Sequence, residues 1–241
     1  METQISPGVA GAPTMDQSLV IEAIGLRRTY RIGAHQEVHA LRGVNLQIFM
    51  GECVAVKGRS GSGKTTMLNC IGGLDRPTSG FVSVFGQDLT KLNDKELTHY
   101  HREKVGFIFQ SFGLASTYSA FENVELMLRI AGAGMRQRKE RALHCLDLVG
   151  LAKWRNHRPN EMSGGQQQRL AIARALANQP RIILADEPTG KLDTTTARDI
   201  FGLFRRIITE EGVTVLLAAH DPLVDEYADR VLRLKDGNIV D

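Results

Sequence analysis

The chain has 241 residues, 42% hydrophobic and 24% charged, with a formal net charge of +3, so it can bury one sizeable core but is short for two independent nucleotide-binding domains. That charge is too small to imply a nucleic-acid partner. Cys53, Cys70 and Cys145 are odd in number and far apart, which argues against a disulfide framework or a zinc site and favours a reducing cytoplasm. Residues 1–18, rich in Gly, Pro, Ser and Thr, lack the basic and apolar regions of a signal peptide and are expected to be a disordered tail. No apolar run approaches the length that crosses a bilayer, so any membrane work is expected to pass through a partner.

Residues 19–26 alternate as a strand and lead into the basic-aromatic stretch Arg27-Arg28-Thr29-Tyr30-Arg31. Tyr30 has two readings at this point, packing on the sheet or stacking on adenine. A second strand is predicted over 44–49, and Cys53-Val54-Ala55-Val56 reads as a buried third. Then comes Gly58-Arg59-Ser60-Gly61-Ser62-Gly63-Lys64-Thr65-Thr66, a full G-x-x-x-x-G-K-[ST] loop between that strand and a helix over 64–72. Glycines let its backbone N–H groups approach a polyanion at the positive end of the helix. Lys64 then reaches the terminal phosphates, and the Thr65 hydroxyl is suited to ligate Mg²⁺.

A turn at 76–80 precedes a strand over 81–86, and Asn93 or Asp94 can cap a short helix to about His101. The strand at 105–109 exits on Gln110, which is either an ordinary strand-end amide or a group reaching the metal and attacking water. From 111 to 160 the pattern holds two helical stretches, 121–130 and 136–149, and no convincing strand, which reads as a helical insert. Its basic run at 136–141 reads as a solvated helix face, and Trp154 as packing. Met162-Ser163-Gly164-Gly165-Gln166 opens a helix to about Asn178 with Ser163 as N-cap, a second anion-binding helix end in one chain.

The run Ile182-Ile183-Leu184-Ala185 is a buried strand ending on Asp186 and Glu187, suited to hold Mg²⁺ and to polarise water respectively. A turn through Asp193, a helix over 194–210 and a strand over 213–219 follow, and that strand ends on His220. Of seven histidines, His220 alone is expected where a strand points at the phosphates. The chain closes with a hairpin from 230 to 240.

In that order, the P-loop at Gly58, Gln110, the Ser163-Gly164-Gly165-Gln166 signature, Asp186-Glu187, Asp193 and His220 resemble the ATPase subunit of an ABC transporter, over about 19–241. The resemblance implies an α/β P-loop NTPase core with an N-terminal antiparallel β subdomain and a helical subdomain at 111–160. It implies ATP and Mg²⁺ as cofactors, Lys64, Gln110, Glu187 and His220 as catalytic groups, and Thr65, Gln110 and Asp186 at the metal. Gly58, Ser60, Gly61, Ser62, Gly63, Lys64, Thr65 and Thr66 would cradle the phosphates, with Tyr30 on adenine. Two subunits packing head to tail would explain the second helix end: Ser163, Gly165 and Gln166 would face the partner's ATP, and Asp193 would link the two sites.

Gly72-Gly73-Leu74-Asp75-Arg76-Pro77-Thr78-Ser79-Gly80 and Glu122-Asn123-Val124 resemble the macrolide-exporter, lipoprotein-releasing and cell-division group. That implies a transmembrane permease partner, a site at the cytoplasmic face of the inner membrane and no nucleic acid. A groove for the permease is expected around Phe112, Leu114, Tyr118 and Phe121. Arg59, Met162 and Lys191 depart from the family's usual proline, leucine and small or amide residue, while Thr65 for serine keeps the same chemistry. A regulatory ATPase acting through a membrane partner on cell-wall enzymes uses the same site and stays open.

Overall fold

The computed structural model describes residues 18–33 and 36–240. The expected tail lies outside them except for Ser18, whose carbonyl accepts from Met50 N–H at 3.0 Å. Strands β1 (Leu19–Ile32), β2 (Gln36–Phe49), β4 (Ser79–Val84) and β5 (Gln87–Asp88) form an antiparallel sheet in the order β2-β1-β4-β5. The first two are longer than the sequence pattern predicts. The polar stretch 27–31 stays extended because it pairs with 37–42 of β2, from Arg27 opposite Arg42 to Arg31 opposite Glu37. Cross-strand hydrogen bonding here overrides a weak local pattern.

The second sheet has six strands, ordered β10-β9-β3-β8-β7-β6, from β3 (Cys53–Lys57), β6 (Val105–Ile108), β7 (Ile182–Asp186), β8 (Thr214–Ala219), β9 (Arg230–Lys235) and β10 (Asn238–Val240). All its pairings are parallel except the terminal β9–β10 hairpin. Helices α1 (Lys64–Ile71), α2 (Asp94–Glu103), α3 (Ala120–Ile130), α4 (Met135–Leu148), α5 (Gly164–Leu176) and α6 (Thr194–Glu211) complete the fold. Between 111 and 160 lie α3 and α4 and no strand.

Strands β3, β6, β7 and β8 are buried on both faces, which is why they read as apolar runs, whereas β9 at the sheet's other side exposes alternate residues. Successive side chains alternate between two cores. Val54, Val56, Leu184 and Leu216 face the core shared with α1, α2 and the antiparallel sheet. Cys53, Ala55, Ile183 and Leu217 face the core shared with α3, α4, α5 and α6. The three cysteines are buried and free.

The basic run at 136–141 is not simply a solvated face. Arg138 of α4 pairs with Glu125 of α3 at 2.7 Å, and Arg141 pairs with Glu211 at the end of α6 at 2.8 Å. Arg141 also donates to the carbonyls of Leu176 and Ala177 at the end of α5, so one guanidinium braces three helices. Trp154 packs on the helical core, as expected. No helix among the described residues is long and apolar enough to cross a membrane.

Candidate active site

Strand order builds the site. In the sequence β3-β8-β7-β6, the C-terminal ends of neighbouring strands carry the P-loop, His220, the Asp186-Glu187 pair and Gln110. Register keeps these ends level, with Lys57 opposite Ala219, Asp186 opposite Ala218 and Ile108 opposite Ala185. Strands about 4.8 Å apart thus gather groups that are dispersed along the sequence from Lys64 to His220.

The P-loop wraps tightly because two of its glycines must be glycines. A Cβ on Gly58 would lie 2.4 Å from the Leu234 carbonyl oxygen, and one on Gly63, at φ +107°, would lie 2.4 Å from that of Ala40. Ser60, Gly61, Gly63, Lys64, Thr65 and Thr66 line a cleft of about 560 Å³ with Gln110, Glu187 and His220, a volume suited to a small-molecule ligand. Val38, His39 and Ala40 of β2 close its other side, so His39 reaches the cleft as well as His220. Sequence reading missed these three because their position depends on how β2 folds over the loop.

Glu187 is the hub. Its Oε1 lies 3.3 Å from Lys64 Nζ, and its Oε2 accepts from Gln110 Nε2 at 3.2 Å and lies 3.2 Å from His220 Nδ1. Its backbone is left-handed, φ +47°, a conformation that costs a non-glycine residue about 1–3 kcal/mol. The Glu187 N–H donates to Ala218 O at 2.9 Å, which helps to hold it. Lys64 is 5% exposed and donates to the carbonyls of Gly58 at 2.8 Å and Arg59 at 3.2 Å.

Thr65 Oγ1 donates to Asp186 Oδ2 at 2.7 Å, while Asp186 Oδ1 is buried with no hydrogen-bond partner. A buried, unsatisfied carboxylate oxygen beside a hydroxyl is the donor set a hard cation takes. Burial raises the Asp186 pKa above the ordinary aspartate value, the Thr65 hydrogen bond opposing it. No cluster of three or more His, Cys, Asp or Glu able to hold a metal occurs among the described residues.

The structure does not bring every expected residue to this cleft. Ser163, Gly165, Gln166 and Asp193 do not line it. Ser163 Oγ accepts from Gln166 N–H at 3.3 Å while Gln166 Oε1 accepts from Ser163 N–H at 2.9 Å, a complete capping box for α5. Asp193 caps α6 through Thr196. The two helix starts touch, since a Cβ on Gly165 would lie 2.6 Å from Thr196 Cγ2. Tyr30 does not line the cleft either; its hydroxyl donates to Asp75 Oδ2 at 2.6 Å.

Sequence reading also passed over Arg174. From α5 its guanidinium donates to the Phe112 carbonyl at 2.9 Å and to that of Gly113. Both residues are left-handed, at φ +60° and +62°, so α5 holds the bend just beyond Gln110.

A family model described as ABC transporter matches residues 41–190. The chain belongs to the ABC transporter family. It is 46% identical over 221 residues to the lipoprotein-releasing system ATP-binding protein LolD 1 of Rhodopseudomonas palustris, covering 91% of this chain and 98% of the relative. It is 46% identical to the macrolide export ATP-binding/permease protein MacB of Syntrophobacter fumaroxidans over 91% of this chain but 31% of that longer protein. Its fold matches a dimeric post-hydrolysis structure of the ATP-binding cassette MJ0796 of Methanocaldococcus jannaschii bound to ADP and Pi. That match has a TM-score of 0.84 at 45% identity and covers 92% of this chain and 97% of the other. This ABC ATPase therefore binds and hydrolyses ATP.

Proposed function

We propose that this ABC ATPase drives a membrane permease through ATP-dependent dimerisation, for export or extraction of a lipid-like, lipoprotein, peptide or drug substrate. The observation that carries the dimer is that the glycine-rich start of α5, capped by Ser163, does not line the cleft that the P-loop lines. In the proposed dimer of identical subunits, Ser163 and Gly165 of one subunit close on the phosphates held by the other. Asp193, beside that signature, links the two sites. The dimeric MJ0796 structure supports this arrangement by likeness.

In the proposed site, Lys64 exchanges its loop carbonyls for phosphate oxygens, and the P-loop N–H groups cradle the rest. Thr65, Asp186 and Gln110 would hold Mg²⁺, which supplies charge neutralisation at the phosphates. Glu187 orients the attacking water and takes its proton, Gln110 and His220 hold the Glu187 carboxylate in line, and Tyr30 stacks on adenine. Water oxygen bonds to the γ-phosphorus as the bond to the ADP oxygen breaks. Positioning and electrostatics supply most of such catalysis.

Residues 111–160 are proposed as the helical subdomain that delivers the work. Leu114 and Phe121 pack partly on the helical core, whereas Tyr118 is 39% exposed, so the docking groove rests on Tyr118 and Phe112 more than on the other two. Relatives named for lipoprotein release and macrolide export support an assembly at the cytoplasmic face of the inner membrane. Purification in mild detergent should bring down a membrane permease crosslinked at Phe112 or Tyr118. A partner that binds only cell-wall hydrolases, with no substrate-stimulated ATPase, would overturn the transport reading.

A further inference from the structure

We infer that Arg28 and Asp75 are positioning residues that set the Tyr30 ring as a fixed platform for the nucleotide base; this rests on the reading that Tyr30 stacks on adenine. Arg28 and Tyr30 lie two residues apart on β1 and so project from one face of the sheet. Tyr30 is directly opposite Val38, a residue that lines the nucleotide cleft, and opposed residues share a face about 5 Å apart. The Tyr30 hydroxyl also interacts with the side chain of Thr66, which lines the cleft, so the ring stands next to the cleft without lining it.

Two hydrogen bonds and an ion-pair contact converge on one carboxylate to hold it there. Asp75 Oδ2 accepts from Tyr30 Oη at 2.6 Å and from Arg28 Nε at 2.9 Å, and its Oδ1 lies 2.7 Å from the Arg28 Nη2 nitrogen. The two-pronged contact fixes the guanidinium plane, whose carbon lies 4.5 Å from the centre of the Tyr30 ring. The guanidinium thus covers one ring face, so the base is assigned to the opposite one. Asp75 is itself tied back to the P-loop helix, its N–H donating to Asn69 O at 3.2 Å. The helix that begins at the phosphates is therefore connected, through Asp75, to the platform for the base.

The physical gain is preorganisation. A ring already held in place loses less rotamer freedom when the ligand arrives. The sequence signal was present but divided: the base–aromatic pair at 28 and 30 and the acid at 75 are 45 residues apart, and each is unremarkable alone.

Calorimetric titration of the full chain with Mg²⁺-ATP and, separately, with inorganic tripolyphosphate tests the inference. Tyr30→Phe, which keeps the ring and loses the hydroxyl, and Asp75→Asn should each weaken ATP binding by about 2- to 10-fold while tripolyphosphate binding stays within about twofold. Arg28→Met should do the same, and Arg28→Lys should recover part of the loss. The inference is overturned if these variants bind ATP like the parent, if Arg28→Met binds it more tightly because Arg28 had covered the base's own face, or if both ligands weaken together. Tyr30→Ala separates the two levels: if it too binds ATP normally, the adenine reading fails with the inference. If it alone loses ATP, the reading stands and the positioning role fails.

Discussion

At the scale of the residue, Glu187 carries the most contacts that matter, and its strained backbone fits a group held for chemistry rather than for packing. In the proposed mechanism, replacing it by glutamine would remove the proton acceptor and keep the shape. Glu187→Gln should lower steady-state turnover by about 10²- to 10⁴-fold while ATP titration still saturates. Asp186 gives a pH prediction. Its raised pKa means that the folded chain keeps a proton that the unfolded chain has released, so this group favours folding at acid pH and opposes it as pH rises through its folded pKa. Cation binding needs the ionised form. The Mg²⁺ concentration for half-maximal turnover should therefore climb as pH falls, beginning above the ordinary aspartate range, and chelation by EDTA should abolish turnover.

At the scale of the element, the brace between α4, α5 and α6 is a tertiary device that no local pattern revealed. Glu211 is held below the ordinary glutamate range: burial opposes its ionisation, but hydrogen bonds from Arg141 and His144 outweigh that cost. A depressed carboxyl pKa contributes stability above the unfolded value and loses it as pH falls through the folded one. Glu211→Gln should cost about 1.5–3 kcal/mol near neutral pH, read by urea denaturation, with the gap to the parent closing below the ordinary glutamate pKa. Periodicity located α4 to within a residue but could not show that Arg138 and Arg141 are spent on Glu125 and Glu211, the latter 70 positions away. The same limit shortened β1 and β2, whose polar halves are strands only because they pair.

At the scale of the whole molecule, the proposed dimer needs two half-sites from each chain, and the signature residues indeed lie outside the cleft that the P-loop lines. Gly165 has no room for a side chain beside Thr196, so Gly165→Asp adds both bulk and negative charge where the partner's phosphates would sit. In sedimentation runs with ATP, Glu187→Gln should travel as a dimer, and the double variant Glu187→Gln/Gly165→Asp as a monomer that still binds ATP. A dimer in the second case would sink the head-to-tail arrangement.

The sequence by itself determined the chemistry available: a phosphate-binding loop, a carboxylate pair at a strand end, a capped signature helix and a strand-end histidine. These are legible because each is a contiguous run whose residue types and local turn geometry are set by neighbours in the chain. Only the tertiary structure decided which of them meet. Sheet order puts Lys64, Gln110 and His220 around Glu187, and sets Ser163 and Asp193 outside that cleft. It also joined Asp75 to Arg28 and Tyr30, and brought His39 to the cleft. Such contacts follow from strand register and from the burial of both sheet faces, and neither is encoded within any one segment.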